Sequence, residues 1–382
     1  MSEAKAIGGK IWTKPFIFLT AIVVLGVFFL AQRYLFGLGA VTNMNDGYPW
    51  GIWIGYDVVV GTALACGGYA MALLVYVFNK GEYHPLVRPA LLASMLGYTL
   101  AGVSVMFDIG RYWQAYNIMI PAKMNFHSVM LEVALCVGAY VMVLWFEFAP
   151  AILEQVKAEK LQARLNKVIF VFIALGVLLP TMHQSSLGTM MLAAGHKLSP
   201  LWWSSFLPLL FLISALVIGY AVVVFESSVS ALAFNRPLET DMLCKLSKMI
   251  PWILGGYLLI RFQDINASGL LPLAFSGGLQ GNMFLLENTL LLGALLILVY
   301  PANRCSPRMQ FLAALMIMVG GGLYRLNAYV IGFDPGNGFH YFPSAPELII
   351  TFAIISAEIM AYIWFVKRFP VLHEVKQPDN RI

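Results

Sequence analysis

The chain has 382 residues, of which 60% are hydrophobic and only 11% are charged, whereas soluble domains carry roughly 25% charged residues. Its mean hydropathy is +0.78. A soluble fold with so few charges could not cover its surface with polar groups. Composition therefore excludes a soluble globular enzyme and predicts a polytopic membrane protein. The net charge of +5 does not require a nucleic-acid partner, because the positions of the 24 Lys and Arg residues explain it.

Ten runs of mostly apolar residues are long enough to span a bilayer, which takes about 20 residues. Helices are the expected elements, because the alternating pattern of a membrane barrel is missing from the sequence. The first run could be a signal peptide, but its length favours a retained helix. The predicted spans are 16–36, 50–79, 86–107, 125–149, 166–190, 203–227, 246–265, 282–300, 309–331 and 346–366. We therefore predict an all-α integral membrane domain that occupies residues 1–382.

The positions of Lys and Arg predict the orientation of these spans. With the N-terminus inside, 18 of the 24 basic residues fall in inner segments, as expected for cytoplasmic loops. The outer loops 37–49, 265–281 and 332–345 contain no Lys or Arg. We therefore expect both termini to be cytoplasmic. Since no segment is long enough for a soluble domain, we expect the chemistry to occur within the membrane or at its faces.

Ionisable side chains at membrane depth are energetically unfavourable and mark functional sites by default. The predicted outer half contains most of them, and the inner half holds only Glu147 and Glu226, with Glu358 near the middle of the tenth span. This asymmetry predicts a site on one side of the membrane and a narrow proton path. The residues of the outer half are Asp57, Asp108, Arg111, His127, Glu132, His183, Arg261, Asp264, Glu287 and Arg325.

Glu132 and His183 are the strongest functional candidates in this set. Glu132 is expected to lie one and a half to two turns inside its helix, where apolar neighbours would bury a carboxyl group able to carry protons. A free imidazole titrates near neutral pH, which favours a proton-handling role for His183.

Structural interpretations remain open for other members. Asp108 and Arg111 are three residues apart, as are Arg261 and Asp264, so each couple could be a structural ion pair. The inner carboxylates Glu147 and Glu226 could simply reach the membrane interface. For Asp57 a functional and a structural role are both open.

The histidines and cysteines limit the metal chemistry of the chain. His127 and His183 could bind one haem from two helices, but the other four histidines fall in loops or tails, so two haems are not expected. The four cysteines form no CxxC motif. Ligation of an iron–sulfur cluster or a structural zinc ion by this chain is therefore not expected. Any cluster of the working system should belong to a partner.

A weak internal repeat divides the chain. The third and seventh spans both end in an acidic residue and an Arg at spacing three, and the fourth and eighth both begin with Asn followed by Glu. This pattern predicts two four-helix units, at 50–190 and 203–331. They would be flanked by single helices at 16–36 and 346–366.

Several long motifs resemble the NrfD/PsrC family of polysulfide reductase membrane subunits, and within it the hydrogenase-2 type (HybB-like) quinone-reactive subunits. The resemblance covers nearly the whole chain. The motifs are GYPWGIWIGYD at 47–57, YHPLVRPALLASMLGYTLAG at 83–102, DIGRYW at 108–113, FEFAP at 146–150, LNKV…LPTMHQSS at 165–186 and FDPGNGFHYFP at 333–343.

The resemblance implies a haem-free subunit of a hydrogen:quinone oxidoreductase in the bacterial cytoplasmic membrane, with two four-helix bundles and two flanking helices. Its implied partners are a periplasmic ferredoxin-like iron–sulfur subunit and the small and large [NiFe]-hydrogenase subunits, and its substrate is menaquinone or ubiquinone. The implied proton-handling residues are Tyr98, Glu132, His183, Glu147 and Glu226. The candidates for the quinone site are Asp57, Asp108, Arg111, His183 and His127, the last being a departure from the family pattern.

In the resulting hypothesis, His183 and Tyr98 surround the quinone head with Asp57 or Asp108 nearby, and Glu132 donates protons. Glu132 and Glu147 are about 22 Å apart along a helix, so waters and other side chains, including Glu226, would have to bridge them. Three alternatives remain: an equivalent subunit of another molybdenum or iron–sulfur oxidoreductase, an ion or solute transporter, and a membrane anchor without a quinone site.

Overall fold

The computed structural model describes residues 4–373. Among these residues, ten helices are long and apolar enough to cross a membrane, and each coincides with one predicted span. We number them α1 to α10: Lys14–Phe36, Trp53–Val77, Gly81–Asp108, Val129–Gln155, Ile169–Ala193, Leu207–Ala233, Thr240–Ala267, Leu279–Val299, Pro307–Ile331 and Ala345–Arg368.

Short elements connect these helices. Two-residue strands, β1 (Ala4–Lys5) and β2 (Leu372–His373), pair antiparallel and join the two ends of the described chain on one side of the molecule. We call this the basic side, because the Lys- and Arg-rich connections lie on it, and the other the opposite side. The remaining connections contain short helical segments: Leu38–Ala40, Tyr112–Met119, Pro121–Lys123, Glu159–Asn166, Gly195–Lys197, Leu271–Ala274 and Pro301–Arg304.

Helix packing places α6 at the centre of the molecule. It contacts α2, α5, α7 and α9, while α4 packs against α5 and α8 against α9. The helices α1 and α10 form an extensive pair, and α10 also contacts α3. The assignment of residues 50–190 and 203–331 to two separate bundles, like the cytoplasmic placement of the termini, stays a prediction.

The start of α4 differs from the sequence prediction. The helix begins at Val129 instead of residue 125, because Asn125 accepts a hydrogen bond from the His127 amide (3.1 Å) and forms a turn. Ser128 then caps the helix by accepting from the Leu131 amide (3.4 Å). Such local side-chain bonds compete with helical ones. Glu132 consequently lies in the first turn of α4, and its predicted depth of one and a half to two turns was wrong.

The α2 helix is irregular. It contains π-helical turns at Trp53–Val58 and Leu73–Val77, a feature often found near functional sites. Asp57 lies within the first of these turns and is buried. Cys244 and Cys305 form a disulfide on the basic side, a pairing that sequence spacing did not predict, whereas Cys66 and Cys136 are free and buried.

Candidate functional site

A cavity of about 970 Å³ lies between the start of α2, the end of α3, the segment Tyr112–Met119, and helices α4 and α5. We call it the α2–α5 cavity. Its volume is at the upper end of the range of roughly 300–1,000 Å³ typical of sites for small organic molecules. Apolar side chains form most of its wall, and polar groups come from Asp108, Arg111, Gln114 and Asn117. It suits a flat apolar molecule that carries a few polar atoms.

Asp108 is the buried carboxylate of this cavity. Its Oδ1 accepts a hydrogen bond from the Gly51 amide (3.1 Å), which ties the end of α3 to the segment just before α2. A Cβ at Gly51 would lie only 2.9 Å from that oxygen. Arg111 also lines the cavity but is exposed, and among the described residues no ion pair joins it to Asp108. The ion pair between Asp108 and Arg111 that their spacing suggested is therefore not formed.

Arg33 on α1, which the sequence did not identify as a candidate site residue, supports the end of α3. It is buried, its Nε donates to the Phe107 carbonyl (2.9 Å), and its guanidinium also donates to Ile109. Its charge lies over the rings of Tyr34 and Tyr112, at 4.6 and 5.1 Å from their centroids. A cation at the carbonyl end of a helix is electrostatically favourable, so Arg33 holds the helix end that carries Asp108.

Tyr98 and His183 form a fully buried hydrogen-bonded pair. The Tyr98 hydroxyl lies 2.9 Å from His183 Nε2, and Gln184 Nε2 donates to the same hydroxyl (3.1 Å) and to Thr62 (3.2 Å). Neither Tyr98 nor His183 lines the α2–α5 cavity, but Leu187, one turn after His183, does. The network is thus adjacent to the cavity, and Gln184 and Thr62 are members that sequence analysis missed.

The neighbours of His183 define its tautomer. Nδ1 lies 2.8 Å from the Leu179 carbonyl, which can only accept, so Nδ1 carries a proton. In the neutral ring Nε2 then accepts from the Tyr98 hydroxyl, an assignment made from the hydrogen-bond network. Both ring nitrogens are therefore engaged.

Glu132 is not buried, contrary to the sequence prediction, because it lies in the first turn of α4. Its side chain is exposed, and Oε1 accepts a hydrogen bond from Ser186 on α5 (2.8 Å). His127 also differs from the prediction, since it lies in the preceding turn and is exposed. Both residues line a small cavity of about 220 Å³, separate from the α2–α5 cavity.

The inner carboxylates belong to different surroundings. Glu147 packs against Gly176 on α5, where a Cβ would collide with its Oε1, and that buried oxygen has no hydrogen-bond partner within the described chain. Glu226 on α6 accepts a hydrogen bond from Tyr362 on α10. Asp57 accepts one from Thr351, also on α10 (3.4 Å). Asp57 and Glu226 thus contact α10, whereas Glu147 contacts α5.

The second half of the chain contains a buried ion pair that sequence spacing did not identify. Arg261 pairs with Glu287 on α8 instead of Asp264. Glu287 also accepts from Asn327 (2.6 Å) and Trp202 (3.2 Å), so its charge is both paired and hydrogen-bonded. Buried charges are tolerated when they are paired and hydrogen-bonded in this way. This cluster has the character of a structural core.

Near the opposite side, Tyr341 connects α2 to α10. Its hydroxyl accepts from the Ile52 amide (2.8 Å) and donates to Glu347 (2.6 Å). Burial raises the pKa of Tyr341, and the adjacent Glu347 carboxylate raises it further. Tyr341 therefore remains a protonated donor at physiological pH and fixes the entrance of α2 beside Asp108.

Comparison with known proteins identifies the family. The family model described as "Polysulphide reductase, NrfD" matches residues 40–331. The chain belongs to this family. It is 43% identical over 381 residues to the probable Ni/Fe-hydrogenase 2 b-type cytochrome subunit of Escherichia coli, covering 99% of this chain and 97% of the relative. It is also 29% identical over 335 residues to the integral membrane subunit of menaquinone reductase from Nitratidesulfovibrio vulgaris, covering 77% and 74%. The resemblance to NrfD proteins and to hydrogenase-2 subunits is therefore confirmed.

The name of the Escherichia coli NrfD relative refers to a b-type cytochrome, which contains haem. The described residues of this chain do not fit a haem held by His127 and His183, since both nitrogens of His183 are hydrogen-bonded and His127 is on an exposed turn. The expectation of a haem-free chain stays a prediction.

Proposed function

We propose that this NrfD protein is the quinone-reactive membrane subunit of a respiratory [NiFe]-hydrogenase complex in the bacterial cytoplasmic membrane. Electrons would pass from the hydrogenase small and large subunits to a periplasmic ferredoxin-like iron–sulfur subunit, and from there to menaquinone or ubiquinone. The observation that carries the proposal is the α2–α5 cavity with its single buried carboxylate. The 43% identity to a hydrogenase-2 subunit supports the choice of partner.

Reduction of a quinone to a quinol takes two electrons and two protons. We assign the electron supply to the iron–sulfur partner, as the identity to a hydrogenase-2 subunit suggests. The apolar wall of the cavity would surround the ring and prenyl chain. In its protonated form, Asp108 would donate a hydrogen bond from Oδ2 to a quinone oxygen, since Oδ1 accepts from the Gly51 amide.

The Tyr98–His183 pair would supply protons to this region. The Tyr98 hydroxyl donates to the neutral His183 ring, so it can pass its proton to Nε2 and later take a proton back. Gln184 holds the hydroxyl in place. The role of Glu132 in proton exchange stays a proposal, now from an exposed position beside Ser186.

Asp108→Asn tests the proposed function in the complete complex, purified through this chain. We expect hydrogen-driven reduction of a short-chain menaquinone analogue to fall about tenfold or more, because the amide cannot exchange a proton. Hydrogen-to-dye activity should not change, since it needs only the donor subunits. Asp241→Asn, an exposed residue on the basic side, is the matched control. Absence of quinone reduction by the unmodified complex would contradict the function, and an undiminished rate in Asp108→Asn would contradict the site.

A further inference from the structure

A second cavity, of about 370 Å³, lies on the other face of α2 and α3, against α6 and α10. We call it the α10 cavity. Its wall is largely apolar, but three carboxylates line it: Asp57, Glu226 and Glu358. This volume would hold a chain of waters, since about 10–15 Å³ of such space accommodates one. Neither Glu132 nor Glu147 lines it.

The register of α10 places polar groups at three heights along this cavity. Thr351, Glu358 and Tyr362 are separated by seven and four residues, so they share one helix face and extend over about 16 Å. Thr351 donates to Asp57 at 3.4 Å, and Tyr362 donates to Glu226. Asp57 and Glu226, at the two ends of the cavity, are therefore each held by a hydroxyl of α10.

Glu358 lies between these two positions. Within the described chain it makes no hydrogen bond or ion pair, in contrast to Asp57 and Glu226. Gly97 on α3 leaves room for the Glu358 side chain, because a Cβ at this position would lie only 3.0 Å from Glu358 Oε1. An ionisable group in the middle of a membrane helix that faces a cavity is a candidate for proton transfer.

Both ends of the α10 cavity continue towards other polar regions. Glu226 also lines a cavity of about 20 Å³ at the basic side, together with Arg236 and Glu239, and that volume is sufficient for one water. At the other end, Val58 follows Asp57 directly and lines the α2–α5 cavity. Polar groups thus extend from the basic side to Asp57, which is one residue from the wall of the α2–α5 cavity.

We propose that Glu358 transfers protons from Glu226 to Asp57, through water in the α10 cavity, towards the quinone in the α2–α5 cavity. The inference rests on the proposed function. Each quinone reduced to quinol takes two electrons from the iron–sulfur partner and two protons, which reach the α2–α5 cavity along this path and through the Tyr98–His183 pair. After each transfer Glu358 regains a proton from Glu226, which is resupplied from the basic side. The path runs along α10 and leaves Glu147 on α4 aside.

The test compares Glu358→Gln with the unmodified complex in liposomes that contain a menaquinone analogue and a trapped pH dye. We expect quinone reduction and proton uptake from the basic side to fall about tenfold or more, with hydrogen-to-dye activity unchanged. Glu358→Asp should restore much of both rates, which a purely structural role of the residue would not explain. Glu154→Gln, which removes a carboxylate of a surface ion pair with Arg88, is the control. Tyr362→Phe, which keeps the ring, should also lower proton uptake.

Wild-type rates in both Glu358→Gln and Tyr362→Phe would overturn the path while leaving the proposed function intact. Loss of uptake in Glu147→Gln with a normal Glu358→Gln would likewise overturn it, in favour of a path along α4. If the unmodified complex reduces no quinone, the path and the proposed function both fail.

Discussion

Tyr98 and His183 are 85 residues apart in sequence yet share a hydrogen bond of 2.9 Å. The sequence identified both as candidates because of their residue types and motifs. Their partners Gln184 and Thr62 were not predictable, since neutral polar residues give no signal until helices are packed. For Glu132 the sequence was misleading. Its apolar sequence neighbours predicted a buried side chain, but its position in the first turn of α4 leaves the side chain exposed.

Replacing Tyr98 with Phe tests the buried network. The change removes the hydroxyl and deprives His183 Nε2 and Gln184 Nε2 of their shared partner. We expect hydrogen-to-quinone turnover to fall about tenfold or more, and thermal stability in detergent to fall by about 1–3 kcal/mol. Tyr300→Phe, at an exposed site on the basic side, is the control. Unchanged turnover in Tyr98→Phe would remove this pair from the proton path.

At the scale of elements, long apolar runs predicted all ten helices, because each must satisfy its own backbone in lipid. Helix ends and irregularities were less predictable. The turn before Val129 arises from two side-chain bonds to the backbone, and the π-helical turns of α2 depend on its neighbours. The pairing of Arg261 with Glu287 instead of Asp264 likewise depends on how α7 packs on α8.

The contact between α2 and α6 yields a prediction about stability. Gly219 on α6 lies against the α2 backbone, where a Cβ would be 2.6 Å from the Cys66 carbonyl oxygen. Gly219→Ala should therefore push the helices apart and destabilise the protein by about 1–3 kcal/mol, measured as a lower melting temperature in detergent. Gly256→Ala on α7 is the matched control, because a Cβ there meets no atom within 4 Å. Equal melting temperatures for the two variants would contradict this close packing.

At the scale of the whole molecule, the distribution of Lys and Arg predicts that the basic side faces the cytoplasm. The disulfide between Cys244 and Cys305 lies on this side. Because cytosolic thiols are generally kept reduced, the orientation predicts that this pair is reduced in the growing cell. The two ends of the described chain meet on this same side through β1 and β2.

Labelling of cysteines tests the orientation. In Cys244→Ser, Cys305 is the exposed thiol, since Cys66 and Cys136 are buried. A membrane-impermeant maleimide should label it in inverted vesicles and not in spheroplasts. Trp113→Cys, made in a chain that also carries Cys244→Ser and Cys305→Ser, places a thiol on the exposed opposite side and should show the reverse pattern. Labelling of Cys305 in intact spheroplasts would invert the orientation.

The proposed function requires that quinone binds in the α2–α5 cavity. Photoaffinity labelling of the complex with an azido-menaquinone analogue, followed by peptide mapping, tests it most directly. We predict crosslinks at cavity residues such as Met106, Met130 and Met190, and their loss in the presence of excess unlabelled quinone. Crosslinks concentrated in the α10 cavity, at residues such as Met318 or Ile359, or labelling that quinone does not displace, would contradict the account.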